Sequence, residues 1–452
     1  MSDPAESPPG PLRVRVAILG AGSRGVGTYG AYLLRRPDLA RLVAIADPRT
    51  DRLHTAGEQH GVAPEHRYLS WEDLLRRETE LDAIIIATPD ALHLQPALAG
   101  IRHGVSILLE KPICPTEPGV RRLLAAARRR GADITVAHVL RYTQFFTRIK
   151  ELLDRNVIGQ LQTVRHAEQV GYWHFAHSYV RGNWRRADAS SPMILAKACH
   201  DFDILQWLIG SPCVELNSYG GLGHFSAANA PEGSTDRCDQ GCKVERVCPY
   251  SAQRIYLEKL APADRWPHNV ISLDTSAEGL ALALHDGPYG RCVYRCDNDV
   301  ADHQIVSMRF ANGVDASMTV SGFTRDNTRT IHLMGSHGEI AGDFTRNEIT
   351  VTDFRIDDMR TSQLSVPGEG MHGGGDEGLM ADFIGRVQDR LRGGDRTMAM
   401  TSLEQSVDSH FMAFAAEASR LKGTAIHLQQ ARKKPRNQGP APETDDRAGA
   451  SS

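Results

Sequence analysis

The 452-residue chain lacks an excess of charge of either sign, its formal net charge being only −3. That removes the electrostatic case for nucleic acid or an anionic membrane surface as a partner. Long apolar runs are missing as well. The longest, such as LDAIIIAT at 81–88, are strand-sized and far too short to cross a bilayer. The opening MSDPAESPPGPL has neither a basic region nor an apolar stretch, so no secretion signal and a cytoplasmic location are expected. Without such a signal, the eight cysteines are expected as thiols or metal ligands rather than disulfides. There is no internal repeat. Both ends, 1–12 and 431–452, have almost no large apolar residue and cannot bury enough surface to fold, so both are expected to be disordered.

What is present is a core-forming apolar content of 41 %, in a chain long enough for two or three domains. VRVAILGAGSRGVGTYG reads as strand, glycine turn and helix. Gly20, Gly22 and Gly25 give G-x-G-x-x-G: a tight turn, a place for backbone to approach a pyrophosphate, and a close helix–strand contact. A second strand, RLVAIADP, ends in Asp47, about 20 residues past the last glycine, where ribose hydroxyls are bound. A carboxylate there favours NAD over NADP. Arg49 and Arg52 leave NADP open. Strands and helices then alternate through Thr88-Pro89-Asp90, Glu110-Lys111-Pro112 and His138. Such alternation implies a doubly wound parallel sheet, with ligands bound beyond the strand C-termini. The expected division is a Rossmann domain over 13–140 and a second domain over 141–430.

The second half turns β-rich. LALALHDGPYGRCVYRC and the following stretch alternate, with turns at His285-Asp286-Gly287 and Asn312-Gly313. The sharpest segment is SSPMILAKACHDFDILQWLIG, 190–210, read as one helix capped by Ser191 and ended by Gly210. Leu195, Cys199, Phe202, Leu205 and Leu208 form its core stripe, so Cys199 reads as packing rather than as a nucleophile. Lys197 and Asp201 are spaced as a surface pair, and Asp203 is spaced to orient His200. GYWHFAHSYVRGNW mixes aromatic residues with His174 and His177, as sugar pockets do, and HGGGD at 372–376 is a glycine-rich loop next to the last helices. Cys238, Cys242 and Cys248 have the spacing of a metal-ligand run. A structural zinc is one reading, an iron–sulfur cluster another and free thiols a third, the fourth ligand being absent locally.

GAGSRG, TPDALH, EKP, HVLRY, VIGQLQTV and ACHDFD, in this order from about 13 to 420, resemble the glucose–fructose oxidoreductase/inositol dehydrogenase/MocA family. The resemblance implies an α/β chain: a Rossmann domain, then an α/β domain whose large, mostly antiparallel sheet often mediates homo-oligomers. It implies NAD(P)-dependent hydride transfer at a secondary alcohol of a sugar, cyclitol or related polyol. The alternatives are an NAD-requiring glycoside hydrolase or a non-catalytic NAD(H) sensor. Cofactor contacts are expected from Gly20, Gly22, Ser23, Arg24, Gly25, Asp47, Thr88, Pro89, Asp90, His93, Glu110 and Lys111. Lys111 is the implied catalytic lysine, with His200 or Lys197 moving the proton. His138, Arg141, Tyr142, His174 and Asp203 are candidate substrate residues. The family carries an Asp four residues before its histidine, and this chain has Ala196 there.

Overall fold

The computed structural model describes residues 12–260, 265–356, 361–365, 371–394 and 398–428. Its first sheet contains β1 (Val14–Leu19), β2 (Ala40–Ala46), β3 (Arg67–Tyr68), β4 (Ala83–Ile86), β5 (Ser106–Leu109) and β6 (Ile134–Val136). The order is β3-β2-β1-β4-β5-β6, and every pair is parallel. Buried on both faces, its central strands are continuous β-branched and aliphatic runs. Helices follow the strands with local signals that suit them: Ser70 accepts from Asp73 N–H, and Thr116 accepts from Gly119 N–H. The glycine turn leads into a helix that is π-type over Ser23–Gly30 and α-helical over Ala31–Arg35.

The second sheet contains β7 (Leu161–Gly171), β8 (Cys213–Gly221), β9 (His303–Phe310), β10 (Asp315–Thr324), β11 (Thr328–Gly335), β12 (Gly338–Asp343), β13 (Glu348–Asp353), β14 (Thr361–Ser365) and β15 (Ile426–His427). Its order is β14-β13-β12-β11-β7-β10-β9-β8-β15, antiparallel except where β7 meets β10. Asn312-Gly313 makes the β9–β10 turn as expected, with Gly313 at φ +87°. Two late helices tie the halves together. Gly375–Leu391 packs Leu379, Phe383 and Ile384 against the core of the first sheet. Leu403–Lys422 contributes Leu403 and Val407 to the first domain's core and Met412 and Ala416 to the second's.

Two sequence expectations fail locally. The segment Ala277–Asp286 is a helix, not a strand: Ser276 caps it by accepting from Gly279 N–H, and Leu280 and Leu284 are buried at i,i+4 while Leu282 is exposed. An alternating Leu/Ala run satisfies both periods. The 190–210 segment is two helices, Met193–Ala196 and Cys199–Ile209, interrupted at Lys197 and Ala198. Ser191 does not cap it, because its hydroxyl donates to Asp90 at 2.8 Å.

Candidate active site

The crevice starts at the glycine turn. Gly20 holds φ +100°, and a Cβ there would stand 2.5 Å from the Ala87 carbonyl oxygen. A Cβ on Gly25 would stand 1.9 Å from the Gly20 carbonyl oxygen, so the helix reaches the strand only without a side chain. Gly22 differs, since its Cβ would meet nothing nearer than Arg52 Nη1 at 3.9 Å. Internal packing does not require that glycine; a phosphate lying against the backbone does. Thr88 Oγ1, just beyond β4, is buried with no hydrogen-bond partner. Asp47, just beyond β2, is nearly buried and accepts from Ala21 N–H at 2.7 Å and Arg49 N–H at 2.9 Å. An open glycine cradle, an unpartnered hydroxyl and a fixed carboxylate at adjacent strand ends fit a dinucleotide.

Other expected cofactor residues are engaged by the protein. Ser23 opens the helix, and the Pro89 carbonyl accepts from Leu92 N–H. Arg24 binds Glu110 at 2.5 Å and Asp376, from the HGGGD loop, at 2.8 Å. Tyr29 also donates to Glu110. Burial alone would raise the Glu110 pKa, but Arg24 and then Lys111 outweigh it and hold the carboxyl below its usual value. Asp90 accepts from Trp184 Nε1, Ser190 and Ser191, and so joins the two domains rather than facing a ligand. Both ring nitrogens of His93 face carbonyls, those of Pro112 and Thr88.

Lys111 follows β5. Its ammonium donates to the Ala196 carbonyl oxygen at 2.8 Å and is not paired with Glu110. The break after Ala196 frees that carbonyl, so the irregular helix directly positions the lysine. The loop is held from behind: Ile113 N–H donates to His410 Nε2 at 2.9 Å, and His410 Nδ1 donates to the Ser406 carbonyl. Burial, then His138, pushes the His410 pKa down to about 3, which keeps this ring neutral and able to accept.

Lys197 does not pair with Asp201. It binds Glu168 at 3.1 Å, and Glu168 binds Arg329 at 2.6 Å. Arg329 reaches Asp201 at 2.8 Å, and Asp201 meets His166 at 2.7 Å. Asp201 is fully buried, so the expected surface pair is overturned. Burial lowers the Lys197 pKa from its ordinary value; Glu168 opposes this, while Arg329 and Lys111 add to it. Cys199 is buried with its thiol pushed up to about 12 by desolvation, in keeping with a packing role.

Asp203 does not orient His200. It binds Arg141 through two bonds, at 2.7 and 2.6 Å, in a buried pair. Tyr142 donates to Asp382 at 2.9 Å. His138 is fully buried between His200 and His410, each ring 5.5 Å away, and desolvation followed by Arg141 and Lys111 drives its pKa well down. His174 contacts Asn327 at 2.8 Å and the Trp266 ring at 4.8 Å, and burial, then Lys197, lowers its pKa. His177 instead meets the Tyr256 hydroxyl. Lys111 lies close enough to act on the charges of both Lys197 and His174, and His200 packs on His138. Glu168 and Arg329 were missed by sequence reasoning. The signal was Val164-x-His166-x-Glu168-x-Val170, charged residues in the buried phase of a strand. The zinc expectation is not met: among the described residues, no group of three or more His, Cys, Asp or Glu is placed to hold a metal ion.

The model for the oxidoreductase family's NAD-binding Rossmann fold matches residues 14–138, and that for its C-terminal α/β domain matches 150–373. The chain is 29 % identical over 230 residues to inositol 2-dehydrogenase 4 of Saccharopolyspora erythraea, covering 49 % of this chain and 61 % of that protein. It is 24 % identical over 265 residues to 2,7-anhydro-N-acetylneuraminate hydratase of Mediterraneibacter gnavus, covering 58 % and 66 %. Levoglucosan dehydrogenase, solved with NADH and levoglucosan, shares the fold with a TM-score of 0.66 at 17 % identity, covering 93 % of this chain and all of that one. No helix among the described residues is long and apolar enough to cross a membrane. With both family models matched in order over most of its length, the chain belongs to the Gfo/Idh/MocA oxidoreductase family, an NAD-binding Rossmann domain joined to a C-terminal α/β domain.

Proposed function

We propose that the protein oxidises or reduces a secondary alcohol of a sugar, cyclitol or related polyol, using NAD in preference to NADP. The observation that carries this reading is Lys111, fixed by the Ala196 carbonyl just beyond β5, two strands from β1, which opens the glycine turn. NAD supplies a hydride acceptor or donor when bound. Lys111 stabilises the negative charge that develops on the substrate oxygen as its carbon loses hydride. Lys197, whose pKa burial has lowered, takes the hydroxyl proton and holds it beside Glu168. His200 lines the same side, in edge contact with His138, and His174 and Trp266 offer a ring wall to a polyol face. Lys197 thus takes the place that the Asp/Ala196 difference leaves open.

The pH dependence tests this assignment. Alcohol oxidation needs Lys197 unprotonated, so kcat/KM rises with pH through a limb below the ordinary lysine value of 10.5. Lys197→Met removes that limb while His200→Gln keeps it; the reverse pattern gives the proton to His200. In reduction the sign inverts, and activity falls as pH rises through the same limb.

The cofactor assignment has its own test. Gly22→Ala is expected to melt like wild type but to lose on the order of tenfold or more in NAD affinity by calorimetry. Gly25→Ala is expected to lower the melting temperature itself, because its Cβ overlaps the Gly20 carbonyl. Asp47→Ser is expected to narrow the preference for NAD over NADP. For assembly, we propose that a second copy packs on the outer face of the large sheet, where β9 alternates buried and exposed residues and Ile305 and Tyr219 stand in solvent. A monomeric mass by light scattering would refute that.

A further inference from the structure

Protonated lysine and arginine side chains only donate hydrogen bonds. Lys111 and Arg329 therefore offer no acceptor to the protons of a polyol. A hydroxyl both donates and accepts, so a site that selects polyols needs an acceptor beside its cations. His174 supplies one, and its neighbours fix which nitrogen it is. At the end of β7, Gly171 N–H donates to Asn327 Oδ1 at 2.8 Å. A backbone N–H can only donate, so the atom it meets is the amide oxygen and not the amide nitrogen. The same oxygen stands 2.8 Å from His174 Nδ1. An amide oxygen only accepts, so Nδ1 carries the ring proton.

Burial, followed by the charge of Lys197, holds the His174 pKa well below its ordinary value of 6.5, which keeps the ring neutral. A neutral imidazole protonated on Nδ1 has its lone pair on Nε2. That nitrogen faces away from Asn327. It has no hydrogen-bond partner among the described residues, in a ring that is only half-buried. The fold holds the pair in place. β7 and β11 are neighbours, with Gln169 facing Thr328, which brings Asn327 over the end of β7. A Cβ on Gly171 would stand 3.3 Å from Asn327 Oδ1, so the approach is close. Trp266 covers one side of the imidazole in an edge contact, the centroids 4.8 Å apart. What stays open is a lone pair in a crevice where Lys197 and Lys111 both lie near enough to act on the ring's charge.

We propose that His174 Nε2 accepts a hydrogen bond from a substrate hydroxyl other than the reacting one, and that Asn327 is the positioning residue that sets this tautomer. This rests on the proposed reaction, in which the reacting hydroxyl gives its proton to Lys197. It narrows the substrate class to polyols with an unsubstituted hydroxyl at that position. A carboxylate or keto oxygen there would face the lone pair and be repelled, and a deoxy carbon would leave the acceptor unpaired.

The first test needs no substrate. Nitrogen-15 NMR of the histidine rings in the full chain, with the His174 signals identified by their loss in His174→Gln, is expected to show Nδ1 protonated and Nε2 bare at neutral pH. Asn327→Ala is expected to release the ring to a mixture of tautomers. A proton on Nε2 in the wild-type protein would overturn the proposal, and an unchanged ring in Asn327→Ala would overturn the positioning role. The second test takes a polyol that the wild-type protein oxidises, together with its monodeoxy analogues. One analogue is expected to lose roughly 10–100-fold in kcat/KM against the parent. His174→Phe is expected to treat that analogue and the parent nearly alike, and His174→Gln, which puts an amide oxygen there, to recover part of the discrimination. Equal discrimination by the wild-type protein and His174→Phe at every position would overturn the proposal. Turnover of no polyol would refute the proposed reaction instead, and the NMR result would still decide for His174.

Discussion

Lys111→Ala is expected to lower kcat/KM for the polyol by about 10²–10³-fold, with NAD affinity little changed. The ammonium has no carboxylate partner at its tip, only the Ala196 carbonyl, so it is held in place and still free to face a substrate oxygen with its remaining N–H groups. Replacing it removes charge stabilisation that is needed in the transition state and not in cofactor binding. Lys111→Arg is expected to recover little, because a guanidinium cannot occupy the point geometry of an ammonium. A milder relative of this variant is His410→Ala, which removes the acceptor for Ile113 N–H and loosens the loop without touching the reacting atoms. It should lower kcat more gently and leave the Lys197 limb of the pH profile in place.

Arg329→Ala is expected to destabilise the second domain by about 3–5 kcal/mol, read as a lower denaturant midpoint. Arg329 sits between Glu168 and Asp201, both almost fully buried, and its loss leaves two carboxylates with one lysine and one histidine between them. The loss should also reach the site. Arg329 helps lower the Lys197 pKa, so its removal should move the Lys197 limb upward in pH. A variant that melts lower but keeps its pH profile would separate the stability role of this network from its electrostatic one. Glu168→Gln acts in the opposite sense on Lys197: its carboxylate raises that pKa, so the limb should move down.

The parallel sheet was legible because its β-branched runs stood between turn signals and helices, and β4, β5 and β6 are buried throughout. The glycine turn was legible because Gly20 must adopt φ +100° and Gly25 must pack on the Gly20 carbonyl, both constraints local to the turn. Charged partners from distant strands were not. Arg329 and Glu168 sit on neighbouring strands, β11 and β7, far apart in sequence, and only their buried phase hinted at them. Asp203 and Arg141 behaved likewise: spacing along one helix suggested His200, whereas the actual partner enters from the turn after β6. The break at Lys197 also escaped detection, since Met193–Ala196 and Cys199–Ile209 together carry one unbroken apolar stripe. That break matters to function. It exposes the Ala196 carbonyl to Lys111 and turns Lys197 toward Glu168.

The most direct test of the account follows nicotinamide reduction by absorbance across sugars, inositols and their glycosides, for the wild-type protein and Lys111→Ala side by side. The account predicts that at least one polyol reduces NAD stoichiometrically, and that the variant loses this turnover while still binding NAD. Turnover that survives in Lys111→Ala, or release of free sugar from a glycoside with no net NADH, would contradict it.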